Sequence, residues 1–251
     1  MKDCTSLLRQ FKLNAKEKVK TRGFKKDPVG DREAEISDGI LQKYRGRLLV
    51  LVSDKCAKQC RFCFRKNQPV KKASPEALRK ILDKSIKEVI LSGGDPMMLK
   101  KSELQKFFEV IPTHVKIRIH TRIIKSNGLQ HLGARLIFVS HINHPDELDE
   151  KTAKNFSKLA KCGATLLNQS VLLKGVNDNA KILAELSEKL FSQRVLPYYL
   201  HQLDKAQGTA HFEVPIKKAK QIVNELKELL PGYLVPRFVK EIKGKKSKTW
   251  I

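Results

Sequence analysis

Short apolar runs recur along this chain, each followed by a longer stretch of helical period. The runs lie at 48–52, 88–91, 115–120, 135–140, 164–172 and 195–200. The unbroken run at 48–52 predicts a strand buried on both faces, as in a parallel sheet, and the others read as strands of the same repeat. Between and after them, helical spacing covers 74–86, 101–110, 146–161, 178–192 and 216–230. Ser74-Pro75 reads as an N-cap followed by proline in the first turn. Pro145-Asp146-Glu147-Leu148 and Asn177-Asp178 also read as helix starts. The link from the third run to the fourth is short for a parallel crossover. Six strand–helix units predict an α/β protein with a parallel sheet curled by right-handed crossovers. Residues 1–46 read as a helix followed by an irregular segment, broken at Gly23, Pro28 and Gly30. The expected division is 1–46, a curled sheet over 47–214, and a helix plus tail over 215–251. From Tyr233 onward, no pattern places the tail.

Composition narrows the class. At 251 residues the chain suffices for one sizeable core, and its 41% hydrophobic content is ordinary. No apolar run approaches the ~18 residues of a membrane span. The N-terminus lacks the apolar core of a secretory leader, so a cytoplasmic protein is expected. The 51 Lys and Arg against 26 Asp and Glu give a net charge of +25. Such a charge attracts polyanions and keeps nucleic-acid binding open. The basic residues are scattered, however, and few aromatics interleave with them, which argues against direct nucleic-acid binding.

Chemistry concentrates just after the first apolar run. Cys56, Cys60 and Cys63 are spaced CxxxCxxC, three of the five cysteines within eight residues. They fall at the C-terminal end of an expected strand, where α/β sheets and barrels carry their sites. Three close thiolates suit iron–sulfur or zinc. A structural zinc site normally takes four protein ligands. Neither Cys4 nor Cys162 has a cysteine or histidine two to four residues away. A thiol-rich loop or zinc knuckle is the plainer alternative. The spacing, with Phe62 before the third cysteine, resembles the radical S-adenosylmethionine (SAM) enzymes. That resemblance implies a [4Fe-4S] cluster with one iron left open for SAM. It also implies a partial (β/α)6, TIM-like barrel, in agreement with the six runs.

The other expected strand ends carry further signals. Ser92-Gly93-Gly94-Asp95-Pro96 follows the second run, and glycines allow close backbone approach to a ligand. His141, Asn143 and His144 follow the fourth run as candidate cofactor contacts. Gln169 lies inside the fifth and needs a partner, from a neighbouring strand or from an adenosine group. Asp204 stands just past the sixth, facing the expected mouth.

In this order, the segments 44–47, 60–65, 91–96, 143–145, 168–173, 176–178 and 197–212 resemble the lysine 2,3-aminomutases. The likeness is greatest to the branch that makes (R)-β-lysine for elongation factor P, and residues 1–43 add little to it. The family uses the cluster, SAM and pyridoxal 5'-phosphate (PLP) to shift the amino group of L-lysine from C2 to C3. The resemblance implies roles for particular residues. Lys248 would be the Schiff-base lysine. Tyr44 and Arg47 would meet PLP, Arg47 at its phosphate. Ser92, Gly93, Gly94, Asp95, His144 and Gln169 would hold SAM, with Asp95 at its amino group. Arg65 would take the substrate carboxylate, and Asp204 with Glu241 the ε-ammonium. It further implies a reductant such as flavodoxin or ferredoxin, a functional link to elongation factor P and its ligase, and a fold open to homo-oligomerisation. The tail departs from the family pattern. Lys243, Lys245 and Lys246 crowd the segment before Lys248, where relatives are rich in Gly and Pro. Two alternatives stay open: a radical SAM enzyme acting on RNA, and a basic nucleic-acid-binding protein with a structural metal site.

Overall fold

The computed structural model describes residues 4–69, 71–126 and 128–251. The six apolar runs form parallel strands: β3 (Arg47–Ser53), β4 (Glu88–Gly93), β5 (Lys116–Thr121), β6 (Leu136–His141), β7 (Thr165–Val171) and β8 (Leu196–His201). Two more strands precede them. β1 (Glu35–Ser37) and β2 (Ile40–Tyr44) add an antiparallel edge to β3. The segment expected to be irregular therefore belongs in part to the sheet. Two strands also come from the tail. β9 (Arg237–Lys240) pairs parallel with β8, and β10 (Thr249–Trp250) folds back antiparallel on β9. The parallel part thus has seven strands rather than six. The sheet runs in simple order from β1 to β10 and crosses both expected internal boundaries.

The helices are α1 (Cys4–Arg9), α2 (Pro75–Ile81), α3 (Lys101–Val110), α4 (Glu150–Lys161), α5 (Ala180–Ser192) and α6 (Ile216–Leu229). α2, α4 and α5 start on side-chain caps. The Ser74 hydroxyl accepts from Ala77 N at 3.1 Å, with Pro75 in the first turn. The first α-helix after Pro145 begins later than its sequence suggests. Residues Pro145–Glu147 make a single 3-10 turn, and Asp149 caps α4 by accepting from Thr152 N at 2.7 Å. α2 is shorter than the helical pattern because the Asp83 carboxylate accepts from Ser85 N at 2.7 Å, which favours a turn there. The short link between β5 and β6 contains a 3-10 turn and no α-helix among its described residues.

Strand alternation sorts the side chains onto two faces. Leu48, Val50, Val89, Leu91, Ile117, Ile119, Leu136, Phe138 and Leu166 pack outward into one apolar layer that includes Leu78 of α2, Phe107 and Phe108 of α3, and Phe156 and Leu159 of α4. A second layer joins Leu200 and Phe238 to α5 and α6. The opposite face of the strands lines the barrel interior. It carries Ser53, Ser92, His120, His141, Gln169 and His201 near the C-terminal ends. An asparagine node sits on the outer face below that mouth. Asn168 accepts from Ser140 Oγ at 2.9 Å and Ile142 N at 3.0 Å, and donates to Ile142 O at 3.0 Å. Asn143 Oδ1 accepts from Val171 N at 2.8 Å, and Asn177 donates to Asn143 O at 2.9 Å. These amides satisfy the backbone where β6 and β7 end, so the loops above them are held in place.

Phe138 is fully buried, with its ring edge-on to Phe156 at 6.3 Å. Phe138→Ala should lower the free energy of unfolding by about 3–5 kcal/mol. Urea denaturation followed by circular dichroism measures this, and a loss below 1 kcal/mol would mean that the sheet–helix layer is not the core.

Candidate active site

The cysteine loop is exposed over residues 54–59, while Cys60 and Cys63 are half-buried and all three thiols are free. What fixes the loop is its contact with the Gly-Gly turn after β4. Gly94 N donates to Ser53 O at 2.5 Å, and Asp95 N donates to Lys55 O at 2.7 Å. A Cβ on Gly93 would lie 2.4 Å from Ser53 O, and one on Gly94 would lie 2.3 Å from Lys55 O. Gly93 also has φ +119°. The two glycines therefore serve first to let the turn touch the cysteine loop. Asp95 is committed as well. Its carboxylate accepts from Met97 N at 2.9 Å, Thr121 Oγ1 at 2.6 Å and Arg122 N at 2.9 Å. The structure thus uses Asp95 to tie the ends of β4 and β5 together, and its side chain is buried rather than offered to a ligand.

Burial pushes the thiols of Cys56 and Cys60 up, to about 12 and about 11. For Cys56, Asp95 and the other two thiols add to the rise. In the free chain these thiols hold their protons, and metal loading must release them. Among the described residues, no three His, Cys, Asp or Glu side chains are grouped to hold a single metal ion. A cubane presents separate iron corners and asks for less convergence. Three free thiols within eight residues, on a loop whose outer part is exposed, suit it.

Beside the loop lies a buried polar cluster. The Arg122 guanidinium pairs with Glu147 and stacks near Phe11 and Phe62. Gln10 is fully buried. It donates to Glu147 Oε1 at 3.2 Å and accepts from Asn143 Nδ2 at 2.9 Å and Arg122 at 3.3 Å. Arg61, between two of the cysteines, pairs with Glu17, donates to Arg9 O at 2.8 Å and stacks over Phe212 at 5.1 Å. Residues before β1 therefore brace the cysteine loop.

On the other side of the loop, charges alternate along a row. Arg65 Nε donates to Asp31 Oδ2 at 2.7 Å, and Lys43 Nζ lies 2.6 Å from Asp31 Oδ1. Lys43 is 3.9 Å from Glu241 Oε1, and Lys248 Nζ donates to Glu241 Oε2 at 2.7 Å. The Tyr44 hydroxyl also donates to Glu241, at 2.7 Å. Burial raises the Asp31 and Glu241 carboxyls, but their cationic neighbours more than offset it and hold both below the usual range. The same surroundings push the Tyr44 phenol upward, burial first and then Glu241. The β9–β10 hairpin explains how Lys248 arrives. Thr249 pairs with Lys240, so Glu241 and Lys248 stand opposite each other as the next pair. Lys248 Nζ lies 6.0 Å from the Tyr199 ring centroid. The lysine-rich tail is thus held by pairing rather than by Gly and Pro.

Asp204, just past β8, receives no hydrogen bond on its carboxylate from any described residue. Burial pushes it up to about 7; Lys248 and Lys43 pull it down, while Glu241 and Asp31 push it up. It therefore joins the same electrostatic neighbourhood as Lys248. Gln169 faces the interior half-buried, and no described side chain or backbone group bonds its amide. Arg65 NH1 reaches Ser92 Oγ at 3.5 Å. Arg47 sits at the opposite, N-terminal end of β3, half-exposed and 5.8 Å above the Tyr44 ring. His144 caps the 3-10 turn after β6, accepting from Asp146 N at 3.3 Å. Sequence reasoning missed Asp31, Lys43, Gln10, Glu147 and Arg122. A charged residue in a segment without periodicity carries no local sign of a partner far along the chain.

Comparison with known proteins follows the same lines. Residues 45–133 match the family model described as a 4Fe-4S single cluster domain. The chain is 45% identical to the L-lysine 2,3-aminomutase of Haemophilus influenzae, covering 92% of this chain and 74% of that one. It is 43% identical to the enzyme of that name from Escherichia coli, covering 97% and 77%. For the one from Buchnera aphidicola the identity is 42%, covering 98% and 78%. Among solved structures, a radical SAM methyltransferase from Sphaerobacter thermophilus superposes with a TM-score of 0.54 at 15% identity, over 80% of this chain and 68% of that one. This supports the partial-barrel fold of radical SAM enzymes. Identity above 40% along nearly the whole chain, on a barrel with three free thiols at its mouth and a lysine inside, decides the matter: the chain belongs to the L-lysine 2,3-aminomutase family.

Proposed function

We propose that this isomerase moves the α-amino group of L-lysine to C3, with a [4Fe-4S] cluster on Cys56, Cys60 and Cys63, SAM on the open iron, and PLP on Lys248. When bound, the cluster and SAM supply a carbon radical, and PLP supplies an electron sink for the migrating nitrogen. The chain's own side chains bind and orient. Arg65, anchored through Nε by Asp31, keeps the rest of its fork for the substrate carboxylate. Gly93, Gly94, Ser92, Asp95, His144 and Gln169 frame the SAM end, where Asp95 acts through the backbone it ties. Tyr44 and Lys43 frame the PLP end, and Arg47, expected there, stands instead at the far end of β3.

The observation that carries the reading is the grip of Glu241, itself held by the Tyr44 hydroxyl, on the Lys248 amine inside the barrel. With Lys248 committed to the cofactor, Glu241 would lose its closest cation; the ε-ammonium of lysine would replace it, with Asp204 as the second carboxylate. A neutral or shorter side chain would leave both acids with only the more distant Lys43, which gives selectivity for lysine. The product would serve elongation factor P through its ligase. An acidic electron carrier such as flavodoxin or ferredoxin would suit the exposed Lys55 and Lys58 flanking Cys56.

Three measurements test this. Cys60→Ala should lose most of its iron after anaerobic reconstitution, while Cys162→Ala should keep it; full iron in the first variant removes the cluster assignment. Borohydride reduction of the PLP-loaded protein, followed by peptide mass mapping, should place the adduct on Lys248, and an adduct on Lys245 or Lys246 would show a shifted tail. Asp204→Asn should lower kcat/KM for lysine about 10- to 150-fold, the worth of one charge-assisted contact, with iron and PLP content unchanged. The ammonium favours the ionised carboxylate, whose free form titrates at about 7. Wild-type kcat/KM should therefore rise with pH through that range and level above it. The variant should lack this limb, and a retained limb would assign it to another group.

A further inference from the structure

Two histidines inside the barrel have no role in the reading above. His120 is the penultimate residue of β5, and His201 is the last of β8. Strand alternation puts Ile119 and Leu200 in the outer apolar layers, so both imidazoles face the interior. Their Nε2 atoms are closed to solvent and have no hydrogen-bond partner among the described residues. A buried nitrogen without a partner is a standing penalty, and folds rarely carry one without use. Here His120 and His201 share one interior face, near enough for His201 to act on His120 electrostatically.

Their surroundings give the direction. His201 lies edge-on to Tyr199 at 5.6 Å, and Lys248 Nζ stands 6.0 Å from that same ring. Burial holds both imidazoles well below their usual titration range. The charge on Lys248 acts on each in the same sense, and Arg118, His201 and Arg65 add to it at His120. Each is thus a neutral imidazole, with one N–H and one lone pair. A neutral donor–acceptor suits the polar edge of a flat heteroaromatic ring. A phosphate would be drawn to cations instead, and Lys43 supplies one next to Tyr44. His141, the third such histidine, lies edge-on to Phe62 at 5.7 Å and belongs to the cysteine-loop end.

We propose that His120 and His201 form a two-imidazole seat, hydrogen-bonding the polar edge atoms of the pyridine ring carried on Lys248. The inference rests on the reading of Lys248 as the PLP lysine. In this role the histidines are positioning residues that set the tilt of the ring against Tyr199.

The test is an absorbance titration of the full-length protein with pyridoxal phosphate and, separately, with pyridoxal. His201→Phe and His120→Phe keep a ring in place but remove the nitrogens, and His201→Gln restores a donor and an acceptor. Each Phe variant should bind both compounds about 5- to 150-fold more weakly, with a shifted absorption band. His201→Gln should recover most of the affinity, and iron content and urea midpoint should match wild type. Unchanged affinity in both Phe variants would mean that water fills the seat and would overturn the proposal. So would an equal loss in His201→Phe and His201→Gln, which marks packing. A loss seen with pyridoxal phosphate alone would assign the histidines to the phosphate instead. Borohydride mapping on the wild type runs alongside. A wild type that takes no cofactor on Lys248 overturns the reading beneath this inference and the inference with it.

Discussion

The row Arg65–Asp31–Lys43–Glu241–Lys248 is the interaction on which the site depends. Its members come from the cysteine loop, the segment before β1, the end of β2 and the tail. None could be buried alone, because a charge withdrawn from water is strongly unfavourable unless it is paired. In alternation each charge answers its neighbours. Removing one member leaves the next exposed to its own desolvation, so the row behaves as a unit. It also leaves Asp204 as the acid without a direct partner, which is why burial can raise it so far.

A second constraint is the contact between the Gly-Gly turn and the cysteine loop. Backbone touches backbone there, at distances that exclude any side chain on Gly93 or Gly94. Asp95 then binds the turn to β5 through Thr121 and Arg122. The thiols are therefore presented on a loop that is exposed yet anchored at its base. The buried cluster of Gln10, Arg122, Asn143 and Glu147 anchors its other side. Preorganisation of this kind matters when a loop must present three ligands in one arrangement. The interior then divides in two, with thiols and Arg122 at the mouth, and Lys248, the carboxylates and two neutral imidazoles farther in.

Much of this was legible in the sequence because it is written locally. Apolar runs announced β3 to β8, since burial on both faces demands them. Ser74-Pro75 announced α2 by a hydrogen bond spanning three residues. The cysteine spacing announced the loop, and the family likeness pointed to Lys248, Arg65, Asp204 and Glu241. Where local reading failed, a longer-range partner was responsible. The glycines at 93 and 94 were read as room for a ligand, and Asp95 as a ligand's acceptor. Their first partners are Ser53, Lys55, Thr121 and Arg122, which only the folded sheet brings near.

The tail shows the limit most plainly. Four lysines within six residues, Lys243, Lys245, Lys246 and Lys248, look alike as sequence, and nothing local says which one enters the barrel. Pairing of Thr249 with Lys240 selects Lys248, because a strand's register fixes which side chain faces inward. Asp31 and Lys43 lie in a segment without periodicity, and their meaning depends on Arg65 and Glu241, 34 and 198 residues further on. The sequence alone determined strands β3 to β8, the start of α2 and the place of the cysteine loop, whose signals span a few residues. The tertiary structure decided which distant charges share one desolvated space, because charge pairing and register are properties of neighbours in space rather than along the chain.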